Sequence, residues 1–246
     1  MAVMLRRGLL LLLICAAALQ LVFLLRIAAM TVLDPRSTTF QRSEAARLLI
    51  EKHSLPWRQE WVDSARLSAH LKRAVIASED AEFADHSGVD WDAIEKAWER
   101  NLQAEKGAER RNARAPATSR PVTAKVVGGS TITQQLAKNL LLSGERTVLR
   151  KGQEFVLTLM LEALLDKDRI LEIYLNNVEW GEGVFGAQAA ARHYFRVDAS
   201  QLNAWQAARL AVMLPAPKRF ERSPGSAYLQ GRAATVLARM PAVELP

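Results

Sequence analysis

Hydrophobic positions along this chain form one unbroken apolar block, then a succession of helical stripes. Gly8–Leu25 is interrupted only by Gln20, and Ile27–Leu33 extends the run, so the block is long enough to cross a bilayer. Arg6 and Arg7 precede it, which by the positive-inside rule predicts a cytoplasmic N-terminus with the rest of the chain outside. Arg26, on the far side, pulls the other way. A cleaved signal peptide with its site at Ala16–Ala18 is the competing reading. The apolar run continues past that site through Leu25, further than a short signal core needs, so a retained anchor is expected. Residues 1–33 are thus assigned to the cytoplasmic N-terminus and transmembrane anchor.

Asp34-Pro35 breaks the pattern, and residues 34–61 read as a membrane-proximal connection. The domain proper is expected over 62–246. Ser64 can cap a helix carrying Leu67, Leu71, Ala74, Val75 and Ser78 that ends near Glu79-Asp80. Trp91–Leu102 follows, with Asp90 as its cap. Gln103–Val126 then loses apolar periodicity and gathers Lys106, Arg110, Arg111, Arg114, Arg120 and Lys125, which reads as a basic mobile loop. A solvated linker and a flap touching lipid head groups or covering a substrate groove both fit it. Thr131–Leu142, Val148–Leu165, Lys167–Asn176, Gln188–Phe195, Asn203–Leu214 and Leu229–Met240 continue as helices, with a glycine turn at Trp180–Gly186. Val148–Leu165 is apolar nearly all round, which predicts burial. No alternating run is long enough for a central sheet, so the fold class is all-α.

Composition adds a partner class. The chain has 246 residues, half of them hydrophobic, and a formal charge of +7. A basic domain seeks a polyanion, and beside a membrane anchor that means anionic head groups or lipid-linked phosphates rather than nucleic acid. Cys15 is the only cysteine, so no internal disulfide forms. The four histidines show no paired metal-ligand spacing, and neither a P-loop nor a G-x-S-x-G elbow is present.

Three segments carry chemistry. Gly-Gly-Ser-Thr-Ile-Thr-Gln-Gln, ending at Gln135, places Ser130, Thr131, Thr133, Gln134 and Gln135 at the head of an apolar helix. With Lys138, Arg146, Arg150 and Lys151 behind it, this reads as a diphosphate cradle. Glu79-Asp80 at a helix C-terminus opposes the macrodipole, with Phe83 and His86 following. Solvated carboxylates are the bland reading, and a general base or acid tuned by Phe83 the functional one. Glu154 sits at the start of an apolar helix, where it needs partners. An ion pair with Arg150 and a place beside a metal or leaving diphosphate both fit.

In order and spacing these segments resemble the peptidoglycan glycosyltransferases (glycosyltransferase family 51), in the monofunctional membrane-anchored form. Glu79–Gly88 fits E-D-x-x-F-x-x-H-x-G, the run ending at Gln135 fits G-x-S-T-x-T-Q-Q, Arg150–Glu154 fits R-K-x-x-E and Lys167–Asn176 fits K-x-x-I-L-x-x-Y-x-N. A fifth motif, R-R-x-x-V-L, is met only by Arg232, Val236 and Leu237, with one arginine replaced by Ala233. The resemblance implies a lysozyme-like helical domain with a small membrane-proximal jaw that polymerises lipid II at the outer face of the cytoplasmic membrane. It implies Glu79 and Glu154 as catalytic. Asp80, Phe83, His86, Ser130, Thr131, Gln134, Gln135, Lys138, Asn139, Arg146, Arg150 and Lys151 would contact substrate. No cofactor is required by it, though a divalent cation (Mg or Mn) at the donor diphosphate, near Glu154, is compatible. Partners implied are lipid II, the growing lipid-linked glycan, the membrane and cell-wall synthesis or division proteins. A lytic transglycosylase or muramidase on a related fold is the rival enzyme, and a non-catalytic scaffold the rival class.

Overall fold

The computed structural model describes residues 2–114, 116, 120–124, 126, 128–145 and 147–246. Helix α1 (Ala2–Ala29) has 28 residues and carries the apolar block. At 1.5 Å per residue it is about 42 Å long, enough to span a bilayer. Its leucines from Leu9 to Leu25 are exposed along most of its length, whereas Ile27 is fully buried and Met30 nearly so. The C-terminal end of α1 is therefore part of the domain core. Arg169 pins the chain as it leaves the anchor, donating to the carbonyls of Met30 (2.9 Å) and Leu33 (3.1 Å) and to Asp34 (3.0 Å).

The stretch read as a connection is folded onto the domain. Helix α2 (Thr39–Lys52) is held by a capping box between Thr38 and Gln41. The short strand β1 (Arg58–Gln59) joins a three-stranded sheet with β2 (Glu179–Gly181) and β3 (Val184–Phe185), in the order β1-β3-β2. β1 runs parallel to β3, and β2 antiparallel to it. The expected glycine turn at 180–186 is thus a hairpin.

The remaining elements are helices: α3 (Ala69–Glu79), α4 (Trp91–Arg114), α5 (Ile132–Leu141), α6 (Val148–Leu164), α7 (Lys167–Asn177), α8 (Ala187–Phe195), α9 (Ala204–Met213), α10 (Pro217–Phe220) and α11 (Ala227–Arg239). Leu71, Val75, Leu210, Ala211, Leu229 and Val236 are all buried, and α3, α9 and α11 pack on one another. On the other side of the core, α5 packs on α2, α6 and α7. The all-α reading holds, with the hairpin and β1 as its small sheet.

Two expectations are corrected. The basic stretch from Gln103 to Arg114 is not loop but the second half of α4, a 24-residue helix. Ala, Glu, Lys and Arg fill that half, and their helix propensity carries it without an apolar stripe. Of the remainder up to Val126, the described residues have no regular structure, and Lys125 lies outside them. Second, α6 is not buried all round. Glu154, Leu157, Thr158 and Leu161 face inward, while Val148, Leu149 and Leu159 are exposed. Its outer face adjoins the anchor: Gln20 and Gln153 exchange two hydrogen bonds of 2.7 and 3.0 Å between α1 and α6. Phe155 meets Trp91 of α4 at 6.4 Å between ring centroids, extending the apolar surface.

Candidate active site

Helix α3 stops at Glu79 because Asp80 leaves the helical region (φ −164°, ψ 74°) while its backbone N–H still reaches Ile76 at 2.9 Å. Asp80 turns inward. Its Oδ2 accepts the first free N–H of α5, from Ile132, at 2.9 Å, and its Oδ1 lies 2.8 Å from His86 Nε2. Gly88 N–H donates to His86 Nδ1 (3.1 Å), so Nε2 carries the proton and donates to Asp80. Gly88 makes this possible with φ +85°, and a Cβ there would stand 2.7 Å from Glu162 Cγ.

The head of α5 is consequently filled by the protein's own carboxylate. Thr131 accepts from Gln134 N–H (3.2 Å) and donates to the Gly88 carbonyl (2.7 Å), and Gln134 Oε1 accepts from Thr131 N–H (3.2 Å). At this helix start the Ile132 and Gln134 N–H groups are taken by Asp80 and a capping box, while Ser130 lines a cleft beside Glu79. Gly129 packs closely on α4, where a Cβ would lie 3.0 Å from the Ala93 carbonyl oxygen. Of the residues expected to touch substrate, Asp80, Phe83, His86, Thr131 and Gln134 are held in the framework by these bonds or by burial, and Asp80 and Thr131 also line the cleft beside Glu79. Phe83 is fully buried under Lys167, whose Nζ lies 4.5 Å from the ring centroid. Lys167 in turn pairs with Glu162 (2.9 Å), which accepts from Thr133 (2.5 Å).

Glu79 reaches a cleft, whose lining also includes Asp80. It lines a cavity of about 250 Å³ with Ser130, Lys96, Arg100 and Arg239. Burial raises its carboxyl above the ordinary value; hydrogen bonds from Gln135 and Ser78 and the charge of Arg232 oppose this, while Asp80 reinforces it. The incomplete fifth motif thus keeps the arginine whose charge bears on Glu79.

Gln135 links Glu79 to a second cleft. Burial, with Glu79 and Asp80 nearby, holds the Tyr174 phenol well above its ordinary value, so Tyr174 stays protonated and donates to Gln135 Oε1 at 3.0 Å. That fixes the amide, whose Nε2 donates to Glu79 Oε2 at 3.0 Å. Gln135 also lines a cavity of about 390 Å³ with Lys138, Asn139, Arg150, Glu145 and Glu179. The structure thereby brings Glu79 and Ser130 into one cleft and Gln135, Lys138, Asn139 and Arg150 into another, the two joined by the bond from Gln135 to Glu79. Arg146 lies outside the described residues.

Glu154 is buried at 3% exposure, with Oε2 2.7 Å from Arg150 Nη1 and Oε1 against Lys151 Nζ. Both readings of its position meet here, because the ion pair that satisfies Glu154 also aims Arg150 at the larger cleft. Each oxygen of Glu154 is thus held by a basic side chain.

Sequence reasoning assigned no role to Tyr174 or Glu179. Tyr174 stood inside a quoted motif, and Glu179 was an acid between Val178 and Trp180 in an apolar stretch. Either was a usable signal.

A family model described as transglycosylase matches residues 48–241. The biosynthetic peptidoglycan transglycosylase of Burkholderia thailandensis is 53% identical over 229 residues, covering 93% of this chain and 82% of that protein. Its counterpart from Burkholderia pseudomallei has the same identity and coverage, and that from Burkholderia vietnamiensis is 52% identical, with 86% of its length covered. The match spans both clefts and nearly the whole chain, and on it the chain belongs to the transglycosylase family.

Proposed function

We propose that this enzyme polymerises lipid II into linear glycan strands, forming β-1,4 bonds with release of undecaprenyl diphosphate, and that it has no transpeptidase activity. The observation that carries the reading is the pairing of clefts across Gln135, one holding a raised carboxyl and the other lined by Lys138 and Arg150. Converting an α-linked diphosphate to a β-glycoside needs a base for the attacking 4-hydroxyl and positive charge for the leaving diphosphate. Glu79 is the base in this reading. Gln135 orients it through the bond to Oε2, Oε1 keeps acceptor capacity for the hydroxyl beside its long 3.4 Å bond from Ser78, and Arg150, held by Glu154, faces the departing diphosphate. Lys138, Lys151 and Arg146 join the donor side on the strength of the motif match.

A lytic enzyme needs the carboxyl but not the cationic cleft. Incubating the purified full chain with lipid II and separating glycan products on a gel tests the reading. Polymer from the wild type and none from folded Glu79→Gln supports it, and release of soluble muropeptides from sacculi in place of polymer refutes it.

The enzyme is placed in the cytoplasmic membrane with its domain outside. The span Val3–Ala29, of mean hydropathy 2.8, and the exposed apolar face of α6 beside it support this reading. Alkaline phosphatase fused after Pro246 should be active, and an inactive fusion refutes the orientation.

A further inference from the structure

The cleft lined by Lys138 contains two buried polar atoms that make no hydrogen bond within the fold. Arg150 gives Nη1 to Glu154, but its buried Nε has no hydrogen-bond partner. In the lining of the same cleft, Glu179 on β2 is 6% exposed, and its Oε1 has no hydrogen bond, only a long ion-pair contact of 3.4 Å with Lys218 Nζ. Folded proteins leave few such groups, and an unbonded donor and a weakly paired acceptor in the lining of one cleft point to a ligand that supplies the complement of each.

The cations near Glu179 are shared with other carboxylates. Lys218 Nζ stands 3.4 Å away and binds Glu44, while Arg47 bonds Glu44 (2.9 Å), Glu51 (2.8 Å) and Glu182 (3.0 Å). Burial and the Glu44 carboxylate therefore outweigh Lys218 and Arg47, and the Glu179 carboxyl is pushed up to about 7. A carboxylate repels a diphosphate, so Glu179 serves a different part of the ligand. A sugar joined to a diphosphate presents both chemistries within one molecule: anionic oxygens for Arg150 and Lys138, and hydroxyl or acetamido N–H donors for Glu179.

We propose that Glu179 recognises the donor sugar, its Oε1 accepting a hydrogen bond from a hydroxyl or acetamido N–H of the residue whose diphosphate lies against Lys138 and Arg150. This rests on the donor-side reading of that cleft given above. Glu179 is a specificity residue here, with no part in proton transfer.

The test compares two probes on the full chain in detergent: lipid II, and undecaprenyl diphosphate, which keeps the anion but has no sugar. Glu179→Met removes the acceptor at similar length, and Glu179→Gln keeps one oxygen. Losing a hydrogen bond to a charged group should raise KM for lipid II about tenfold in the methionine variant, with kcat within about threefold. Inhibition by undecaprenyl diphosphate should be unchanged. The glutamine variant should stay near wild type. An unchanged KM in folded Glu179→Met overturns the proposal, as does an equal weakening of both probes, which would mean that Glu179 only shapes the cleft. Should the methionine variant not fold, wild type is assayed with donors lacking single sugar hydroxyls or the acetamido group. A loss of about tenfold at one position supports the proposal, and no loss at any position overturns it. Failure of the donor-side reading has a separate signature: Arg150→Ala and Lys138→Ala would then leave inhibition by undecaprenyl diphosphate unchanged.

Discussion

Asp80→Asn should destabilise the fold while its neighbour Glu79→Gln does not, although the two carboxylates are adjacent in sequence. Asp80 is an acceptor on both oxygens, from Ile132 N–H at 2.9 Å and from the His86 Nε2–H at 2.8 Å, with a side chain 2% exposed. Asparagine offers one oxygen and one NH₂, so one of those donors must face another donor. His86 cannot relieve the conflict by moving its proton, because Nδ1 already accepts from Gly88. A buried unsatisfied donor costs about 1–3 kcal/mol, and removing a charge from the N-terminus of α5 adds about 1 kcal/mol, for a total of about 2–4 kcal/mol. In a domain of this size that lowers the melting temperature by about 5–15 °C. Glu79 works in the opposite direction. Its carboxyl is raised by burial, so the folded state is disfavoured when Glu79 is ionised, and a neutral glutamine at 79 stabilises the protein at neutral pH. Thermal melts of the detergent-solubilised chain, alongside lipid II polymerisation, give the readout. Glu79→Gln should melt at or above wild type and lose polymerisation by about 10²–10⁴. Asp80→Asn should melt lower and keep synthesis below its own transition. If Asp80→Asn melts within about 2 °C of wild type, the capping role is wrong. If it is instead the less active of the two while folded, the base lies at 80.

The acid limb of kcat/KM should lie above pH 4.5, because only ionised Glu79 accepts a proton and its carboxyl is raised from that value; a limb at or below 4.5 in a pH series refutes the assignment. Glu179, at about 7 when folded against 4.5, binds its proton more tightly in the native state, so its contribution to stability is fully present below pH 4.5 and lost as pH rises through 7. That loss is about 3 kcal/mol, and Glu179→Gln should flatten it in denaturant melts between pH 4.5 and 8. Replacing Lys106, Arg110, Arg111, Arg114 and Arg120 by glutamine should weaken sedimentation with anionic vesicles, each charge near the surface contributing up to about 1 kcal/mol, and unchanged binding at low salt would leave this stretch no role at the membrane. Gln20→Leu breaks the paired amides between α1 and α6 and should cost about 1 kcal/mol in a melt while leaving Gln153 unsatisfied; an unchanged melting temperature means that the contact contributes nothing.

Local pattern was enough to predict the long apolar helix and the helical class, and to single out the segments proposed to carry chemistry. An apolar run of bilayer length and the three-to-four-residue spacing of Leu71, Ala74, Val75 and Ser78 are properties of neighbouring residues, and so is the anomaly of two acids at a helix end. The basic half of α4 was misread as loop for the same reason, because helix propensity without an apolar stripe leaves no periodicity to detect. The outer face of α6 was equally illegible: an all-round apolar helix looks the same whether its surroundings are protein or lipid, and only the position of α1 distinguishes them. Which acid does what was decided by contacts between residues far apart in the chain. Asp80 is a cap because Ile132 starts a helix against it, and Glu79 remains in the cleft with Gln135 turned toward it by Tyr174. Glu179 has no motif at all. It enters the cationic cleft because strand pairing with β3 sets it there, and its raised carboxyl follows from burial beside a lysine already bound to Glu44. Sequence spacing determines which side chains share a face, but packing distributes solvent and charge among them, and those set the chemistry each carboxyl can perform.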